Sequence, residues 1–410
     1  MHELKRSLNF SMLTLYGLGT ILGAGIYVLV GKVAIHAGLY APISFLLAAL
    51  LAGLSGYSYA ALSAHLPKSA GEAVYVETAF NLRPLSILVG WMVVLTGVVS
   101  AATISKGFVG YLQVFIDIPD FWAISMLLLA MTGLAYWGVN ESVWATAATT
   151  LLGLLGLMII LYYSAPSFLT LAERSHELLP PLTDGGIWFG ILLGAFLAFY
   201  AFIGFEDMVN MAEEVKQPEV TLPKAIIAAI VISSILYYLI ALAAVLQMPQ
   251  DQLIASKAPM ADIMNQHSES MAWFVSFISL AAIVNGALVQ IIMGSRVMYG
   301  MGKHNMAPLW LAKIHPVRKT PYIATLLIGL VVWVLATQFP LTSLAKLTSF
   351  IIIMVFFLVN VALIKLLFTK ETKDHFTAKP WVPVVGAIMC LMFLGVQVDQ
   401  IISGSTVVGH

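Results

Sequence analysis

The sequence contains very little cysteine and little charge. Its 410 residues include one cysteine, Cys390, which lies in an apolar run and so excludes an internal disulfide framework or a cysteine-based metal cluster. Charged residues make up 10% of the chain, whereas soluble domains carry roughly 25%. The 20 basic and 20 acidic residues cancel, so no net charge favours a nucleic-acid partner, and we expect none.

Apolar side chains are in excess instead. They account for 60% of the residues, and the mean hydropathy is +0.94. Crossing a bilayer takes roughly 20 apolar residues of helix, and continuous runs of that length favour helices over the alternating strands of a barrel. We therefore predict an all-α membrane protein with about eleven transmembrane helices in a single polytopic domain, 1–410. The predicted segments are 11–33, 41–66, 85–115, 121–138, 143–164, 187–211, 224–246, 271–301, 322–338, 341–368 and 381–402.

The basic residues indicate how the chain is oriented. With the N-terminus inside, most lysines and arginines fall in cytoplasmic loops, while Lys32, Arg174 and Lys257 fall outside. Cytoplasmic loops carry an excess of these residues. We predict a multi-pass protein of the plasma or inner membrane, surrounded by the lipid bilayer, with a cytoplasmic N-terminus.

Two of the predicted helices contain residues that interrupt a membrane helix. The first has four glycines between 17 and 25, and the sixth places Gly204, Glu206 and Asp207 in an apolar run. Irregular backbone at membrane depth is tolerated where it lines a cavity, and carboxylates there mark functional sites. Gly19 and Gly23 also have the spacing of a helix-packing motif, so packing stays an alternative for the glycines.

Interrupted helices at matching places in two halves of a chain indicate the binding site of a transporter. The unpaired N–H groups at the start of the second half-helix bind a carboxylate, and the unpaired carbonyls at the end of the first half-helix accept an ammonium. Because an α-amino acid carries both groups, we predict that the substrate is an amino acid or a related amine.

Several motifs resemble those of the amino acid–polyamine–organocation permeases. GTILGAGIY at 19–27 resembles the signature of their first helix, and FIGFE at 202–206 resembles their sixth helix. The other matches, in chain order, are SAGEAVY at 69–75, GVNES at 138–142, AEEVKQP at 212–218, GSRVMY at 294–299, and the dipeptides at 315–316 and 320–321.

The resemblance implies the leucine-transporter fold, a five-plus-five inverted repeat in which helices 1 and 6 are discontinuous. Repeat 1 would cover about 11–164, repeat 2 about 187–368, and an extra helix about 381–402. The implied protein is a monomeric or homodimeric secondary active transporter that works by alternating access and needs no cofactor.

The resemblance also implies a substrate site between the two broken helices. The substrate carboxylate would meet the backbone of Gly23, Ala24 and Gly25, and its ammonium would meet carbonyls of both helices. Tyr200 stands where the family often has an aromatic gate. The whole implied set is Ile21, Gly23, Ala24, Gly25, Tyr200, Ala201, Ile203 and Gly204.

Ion coupling is assigned to the sixth helix. Glu206 resembles an acidic position linked to proton sensitivity in arginine–agmatine antiporters, so Glu206 and Asp207 are the expected proton carriers. Some proton-coupled relatives have a lysine in helix five where this chain has Gly153. Asn285 is the polar side chain of a helix-eight segment that could complete a cation site. We predict H⁺ as the coupling ion and leave Na⁺ open.

Other functions fit the sequence less well. GLSG at 53–56 has the form of an intramembrane protease motif, but a serine nucleophile needs a nearby base, and the histidines fall in predicted loops or helix ends. A channel would need a filter-like loop or a ring of charge. We therefore predict that the protein is not an enzyme. Proton-coupled uptake is the main prediction, and the alternatives are an exchanger of amino acids or polyamines and a sensor of amino acids.

Overall fold

The computed structural model describes residues 6, 8–67, 71–138, 143–303, 306–318, 320–369 and 378–403. Their regular structure is helical. The α-helices are α1 (Phe10–Ile21), α2 (Ala24–Ala37), α3 (Ala41–His65), α4 (Gly71–Phe80), α5 (Arg83–Leu112), α6 (Asp120–Trp137), α7 (Val143–Ser164), α8 (Leu171–Leu178), α9 (Gly185–Ala198), α10 (Pro218–Gln247), α11 (Gln250–Ala255), α12 (Pro259–Asn265), α13 (Glu269–Lys303), α14 (Tyr322–Gln338), α15 (Leu341–Phe368) and α16 (Trp381–Ser403). Shorter 3₁₀ segments are Gly38–Tyr40, Ala165–Thr170, Phe199–Phe202, Phe205–Glu214 and Leu309–Ala312.

The predicted membrane segments are found as helices. Within the described ranges, 9 helical stretches are long and apolar enough to cross a membrane. One of these, Gly25–His65, contains both α2 and α3, and the apolar helices Phe10–Ile21 and Tyr322–Gln338 are shorter. The prediction of an all-α membrane protein is confirmed.

Some helices differ from the prediction. α10 begins at Pro218 rather than at 224, because a proline in the first turn of a helix gives up no hydrogen bond. The hydropathy pattern also missed four short helices, since they are too short or too polar to resemble a membrane span. These are α4, α8, α11 and α12.

The two broken helices run side by side in the interior. α2 packs along α9, while α1 packs against Phe205–Glu214 and α10. α3 packs against α10, and α5 against α13. In a five-plus-five repeat these pairs would be equivalent helices, so their contact agrees with the inverted repeat, which stays a prediction.

The start of the described chain is tied to the end of the second broken helix. Leu8 and Val215 form an isolated parallel bridge. The N–H of Leu8 donates to the carbonyl of Glu214 at 3.0 Å, and the N–H of Lys216 donates to the carbonyl of Leu8 at 2.8 Å. These bonds connect the segment before α1 with the segment after Phe205–Glu214.

Candidate functional site

The first broken helix is interrupted between α1 and α2. α1 ends at Ile21, Gly23 has φ −61° and ψ −143°, and α2 begins at Ala24. The first N–H groups of a helix have no partner within it, and Gly23 has no side chain to cap them. The N-terminus of α2 therefore offers hydrogen-bond donors and a positive dipole end to an anionic group.

The second broken helix is interrupted after Phe199–Phe202. Ile203 is extended, and Gly204 has φ +126° and ψ −21°, a conformation that glycine adopts readily. The chain continues as the 3₁₀ segment Phe205–Glu214 rather than as an α-helix. Glu206 Oε2 accepts the N–H of Gly204 at 2.8 Å. The predicted interruption of both helices is confirmed, and a carboxylate caps the second one.

The two interruptions contact each other directly. Thr20 Oγ1 donates to the carbonyl of Gly204 at 2.8 Å and lies 2.9 Å from the carbonyl oxygen of Gly17. At Gly25, an added Cβ would lie 2.5 Å from the Cα of Ala201. Both contacts depend on close approach of the two backbones, so the geometry of one broken helix fixes that of the other.

A narrow cavity lies where the interruptions meet. About 20 Å³ of it is open to the centre of a water molecule, which is room for about one water and not for an amino acid. None of the described residues that line it is charged. They are Thr20, Ile21, Gly23, Gly25, Ser100, Ile104, Tyr200, Ile203, Gly286, Val289 and Gln290.

Of the eight predicted substrate residues, five line this cavity, two do not, and the eighth has a side chain that is not described. Ala201 packs against Gly25, and Gly204 packs against Thr20. The backbone of Ala24 begins α2, and its side chain lies outside the described part of the chain. The predicted residues that line the cavity are Ile21, Gly23, Gly25, Tyr200 and Ile203.

Two residues that the sequence did not single out, Tyr237 and Ser100, hold the predicted residues Ile21 and Tyr200 in place. The hydroxyl of Tyr237, on α10, donates to the carbonyl of Ile21 at 2.7 Å. The Tyr200 hydroxyl reaches α5, where it lies 3.1 Å from Ser100 Oγ and 3.1 Å from the Ser100 carbonyl oxygen. Tyr200 is thus a buried wall of the cavity that is anchored to α5.

Asn285 lies in a second, smaller cavity rather than with the substrate residues. This cavity lies between α1, α7 and α13, and its lining is Gly19, Leu22, Thr149, Thr150, Gly153, Ala282 and Asn285. Gly153, where the resemblance implies a lysine in some proton-coupled permeases, accepts the Tyr27 hydroxyl at 2.8 Å through its carbonyl. Two threonine side chains join Asn285 here, so the site is more polar than the helix-eight segment alone indicated.

Three buried carboxyl groups lie outside the lining of the substrate cavity. Glu206 and Asp207 are 4% and 9% exposed, and Glu72 of α4, which the sequence did not single out, is 2% exposed. Gln290 Nε2 lies 3.4 Å from Asp207 Oδ2, and the Tyr59 hydroxyl lies 3.4 Å from Glu72 Oε1. Gln290 therefore connects the cavity wall to this acidic group.

Burial makes Glu72 sensitive to pH. It raises the pKa of the Glu72 carboxyl from its ordinary 4.5 to about 7, with a further contribution from the charge of Asp207. The folded protein therefore holds a proton that the unfolded chain has lost, and stability falls as pH rises from above 4.5 through about 7.

We expect Glu72→Gln to remove this dependence on pH. The amide keeps an acceptor for Tyr59 but cannot ionise. The stability of the wild type should fall between about pH 4 and about pH 8. The variant should lose the part of this fall that is due to Glu72, on the order of 3 kcal/mol. Glu77→Gln, on the exposed side of the same helix, is the matched control. Equal pH dependence in the wild type and Glu72→Gln would contradict the assignment.

An all-helical membrane domain with two interrupted helices around a narrow cavity has the architecture of a carrier. A family model described as amino acid permease matches residues 8–406. The branched-chain amino acid permease BcaP of Bacillus subtilis is 29% identical over 421 residues, which cover 96% of this chain and 87% of BcaP. The methylthioribose transporter of the same organism is 28% identical, with 96% of this chain and 88% of the relative covered. The cationic amino acid transporter 7 of Arabidopsis thaliana is 27% identical, with 92% and 68% covered.

The chain belongs to the amino acid permease family. It is an integral, multi-pass membrane transporter for amino acids and not an enzyme. The predicted resemblance to the amino acid–polyamine–organocation permeases is confirmed.

Proposed function

We propose that the protein is a secondary active transporter that takes up neutral amino acids together with protons, by alternating access to the cavity between the broken helices. The observation that carries the proposal is the meeting of two interruptions at one cavity. There the N-terminus of α2 and the carbonyls of the interrupted segments offer opposite charges to a zwitterion.

The α-carboxylate of the substrate is assigned to the backbone N–H groups of Gly23, Ala24 and Gly25. The ammonium is assigned to the carbonyls that end the first half-helices. The carbonyl of Ile21 already accepts Tyr237, and that of Tyr200 accepts the N–H of Ile203 at 3.2 Å. A carbonyl oxygen has two lone pairs, so each can accept a substrate N–H as well.

The side chain of the substrate is assigned to the uncharged wall. Ile104, Ile203 and Val289 give this wall an aliphatic character, which suits a branched or linear aliphatic side chain. The relative BcaP is named for branched-chain amino acids. The cavity, at about 20 Å³, is too small for any amino acid, so binding and release require the two broken helices to move apart.

Proton coupling is assigned to Glu206 and Asp207. Their carboxyl groups are buried next to the interruption of the second helix, and Asp207 contacts the cavity wall through Gln290. A group that gains and loses a proton as the helix moves can link proton flow to substrate flow. The second cavity, with Thr149, Thr150 and Asn285, is where Na⁺ would bind in the alternative of sodium coupling.

Uptake into proteoliposomes tests this proposal. An inward proton gradient should stimulate uptake of labelled leucine by the wild type, and Glu206→Gln should abolish the stimulation, because glutamine can accept the Gly204 N–H but cannot carry a proton. Glu213→Gln, at an exposed position of the same 3₁₀ segment, should leave the stimulation intact. Stimulation that survives in Glu206→Gln would contradict the coupling assignment.

The same vesicles distinguish the alternatives. An exchanger would take up label only when the vesicles are loaded with amino acid. A sensor would bind leucine, seen as a raised melting temperature, without moving it across the membrane. Stimulation by a Na⁺ gradient alone would favour the second cavity as the coupling site.

We propose a cytoplasmic N-terminus in a cell membrane, as the basic residues predict.

A further inference from the structure

One buried acidic residue, Asp207, contacts a side chain of the cavity wall. Asp207 does not line the cavity, but Gln290 does. Gln290 Nε2 lies 3.4 Å from Asp207 Oδ2, and both residues are 9% exposed. One amide therefore forms the cavity wall on one side and faces a carboxylate on the other.

The position of this amide is fixed from a second helix. An added Cβ at Gly97 of α5 would lie 3.2 Å from Gln290 Oε1. The amide oxygen thus rests against the backbone of α5, which leaves Nε2 directed to Asp207. Gln290 belongs to α13, and its amide lies between α5 and the 3₁₀ segment Phe205–Glu214.

We infer that Gln290 is a specificity-determining residue. Its amide donates to the Asp207 carboxylate and separates that carboxylate from the cavity, which excludes cationic amino acids. This inference rests on the proposed function, and it names the substrate class of the same site. A carboxylate in an apolar cavity attracts a lysine or ornithine ammonium, because a buried charge gains most from a partner. With Gln290 in front of it, Asp207 is shielded, and the wall met by the substrate is neutral. A neutral wall rejects a cation because the cation loses its hydration without gaining a counter-charge.

The test compares uptake of labelled leucine and labelled lysine by wild type, Gln290→Ala and Gln290→Leu in proteoliposomes. Wild type should take up leucine and exclude lysine. Gln290→Ala opens the way to Asp207, so the ratio of lysine to leucine uptake should rise by about tenfold or more. Gln290→Leu fills the same space without a donor and should keep lysine excluded.

The double variant Gln290→Ala with Asp207→Asn separates charge from space. Because Asp207 is also assigned to proton coupling, this variant is compared by the shift in melting temperature with lysine and with leucine. Leucine should still stabilise it and lysine should not, because the amide of asparagine offers no counter-charge. Stabilisation of the double variant by lysine would show that cavity volume alone sets the specificity, and it would overturn the inference. Lysine uptake by the wild type, or continued exclusion of lysine by Gln290→Ala, would overturn it as well.

Binding measurements keep the test decisive if transport is lost. If Gln290→Ala moves neither amino acid, the shift in melting temperature with lysine and with leucine replaces uptake, for this variant and for the shorter amide Gln290→Asn. Lysine should stabilise Gln290→Ala and not Gln290→Asn, and equal responses of the two variants would overturn the inference. A wild type that binds and moves no amino acid would overturn the proposed function itself. Normal leucine uptake with unchanged lysine exclusion in Gln290→Ala would overturn this inference alone.

Discussion

Replacing Gly25 by alanine is expected to reduce transport by at least about a hundredfold. A Cβ at this position would lie 2.5 Å from the Cα of Ala201 and 2.7 Å from its Cβ. The nearest atom belongs to the backbone, so no rotation of a side chain relieves the contact. The N-terminus of α2 would have to move away from Phe199–Phe202, and the donors assigned to the substrate carboxylate would move with it.

Uptake of labelled leucine, corrected for the amount of protein in the membrane, measures this effect. Gly53→Ala is the matched control, because an added Cβ on that glycine of α3 meets nothing within 4 Å. Overpacking costs roughly 1–3 kcal/mol, so the Gly25→Ala protein should still fold, with a lower melting temperature. Wild-type uptake by Gly25→Ala would mean that the two broken helices do not need their close contact.

Gly204→Ala is expected to lower both stability and transport, for two separate reasons. The φ of +126° is strained for any residue with a side chain, at a cost of about 1–3 kcal/mol. In addition, the new Cβ would lie 2.7 Å from the carbonyl carbon and oxygen of Thr20. The strain and the contact act together on the interruption that Glu206 caps and Thr20 connects to α1.

The melting temperature of Gly204→Ala should fall by about 2–7 °C, and leucine uptake should be lost. Gly133→Ala provides the comparison, because Gly133 lies within a regular helix, α6, with nothing within 4 Å of an added Cβ. If Gly204→Ala melted and transported like Gly133→Ala, the left-handed backbone at Gly204 would not be needed for the native structure.

The helices could be predicted from the sequence because the bilayer imposes a length of apolar residues on each crossing. The interruptions could be predicted because carboxylates are costly in a lipid-facing helix and because irregular backbone, which clustered glycines permit, is tolerated at membrane depth where it lines a cavity. The 3₁₀ conformation of Phe205–Glu214, the second half of the second broken helix, could not be predicted. Nothing in the residues after Gly204 distinguishes the observed 3₁₀ segment from an α-helix, because hydropathy does not depend on the type of helix.

The rest of the candidate site depends on contacts between distant parts of the chain. Ser100, Tyr237 and Gln290 are polar residues inside apolar runs, and their roles follow from the carbonyl, hydroxyl or carboxyl group that each one meets on another helix. Glu72 was missed because it lies between two predicted membrane segments, where the sequence predicts a water-exposed loop and a carboxylate is ordinary. Only the packing of α4 against α5 and α15 makes it a buried group.

Ala201 and Asn285 show how contacts between helices decide which surface a residue of a motif reaches. Ala201 belongs to the interrupted segment, but its Cα faces Gly25 instead of the cavity. Asn285 is adjacent in sequence to Gly286, which lines the substrate cavity, yet it lines the second cavity. Neighbouring residues on a helix point about 100° apart, so one residue of difference changes which cavity a side chain reaches.

The backbone pairing of Leu8 with Glu214 and Lys216 has a mechanical consequence. It joins the ends of α1 and Phe205–Glu214 that lie far from the cavity, while Thr20 joins the same two segments at the interruptions. Because hydrogen bonds join the two segments at both ends, we expect them to move together as one rigid unit. In the proposed alternating-access mechanism, opening at this end of the two segments would then be one concerted event, and a substrate that leaves the cavity there would meet a single barrier.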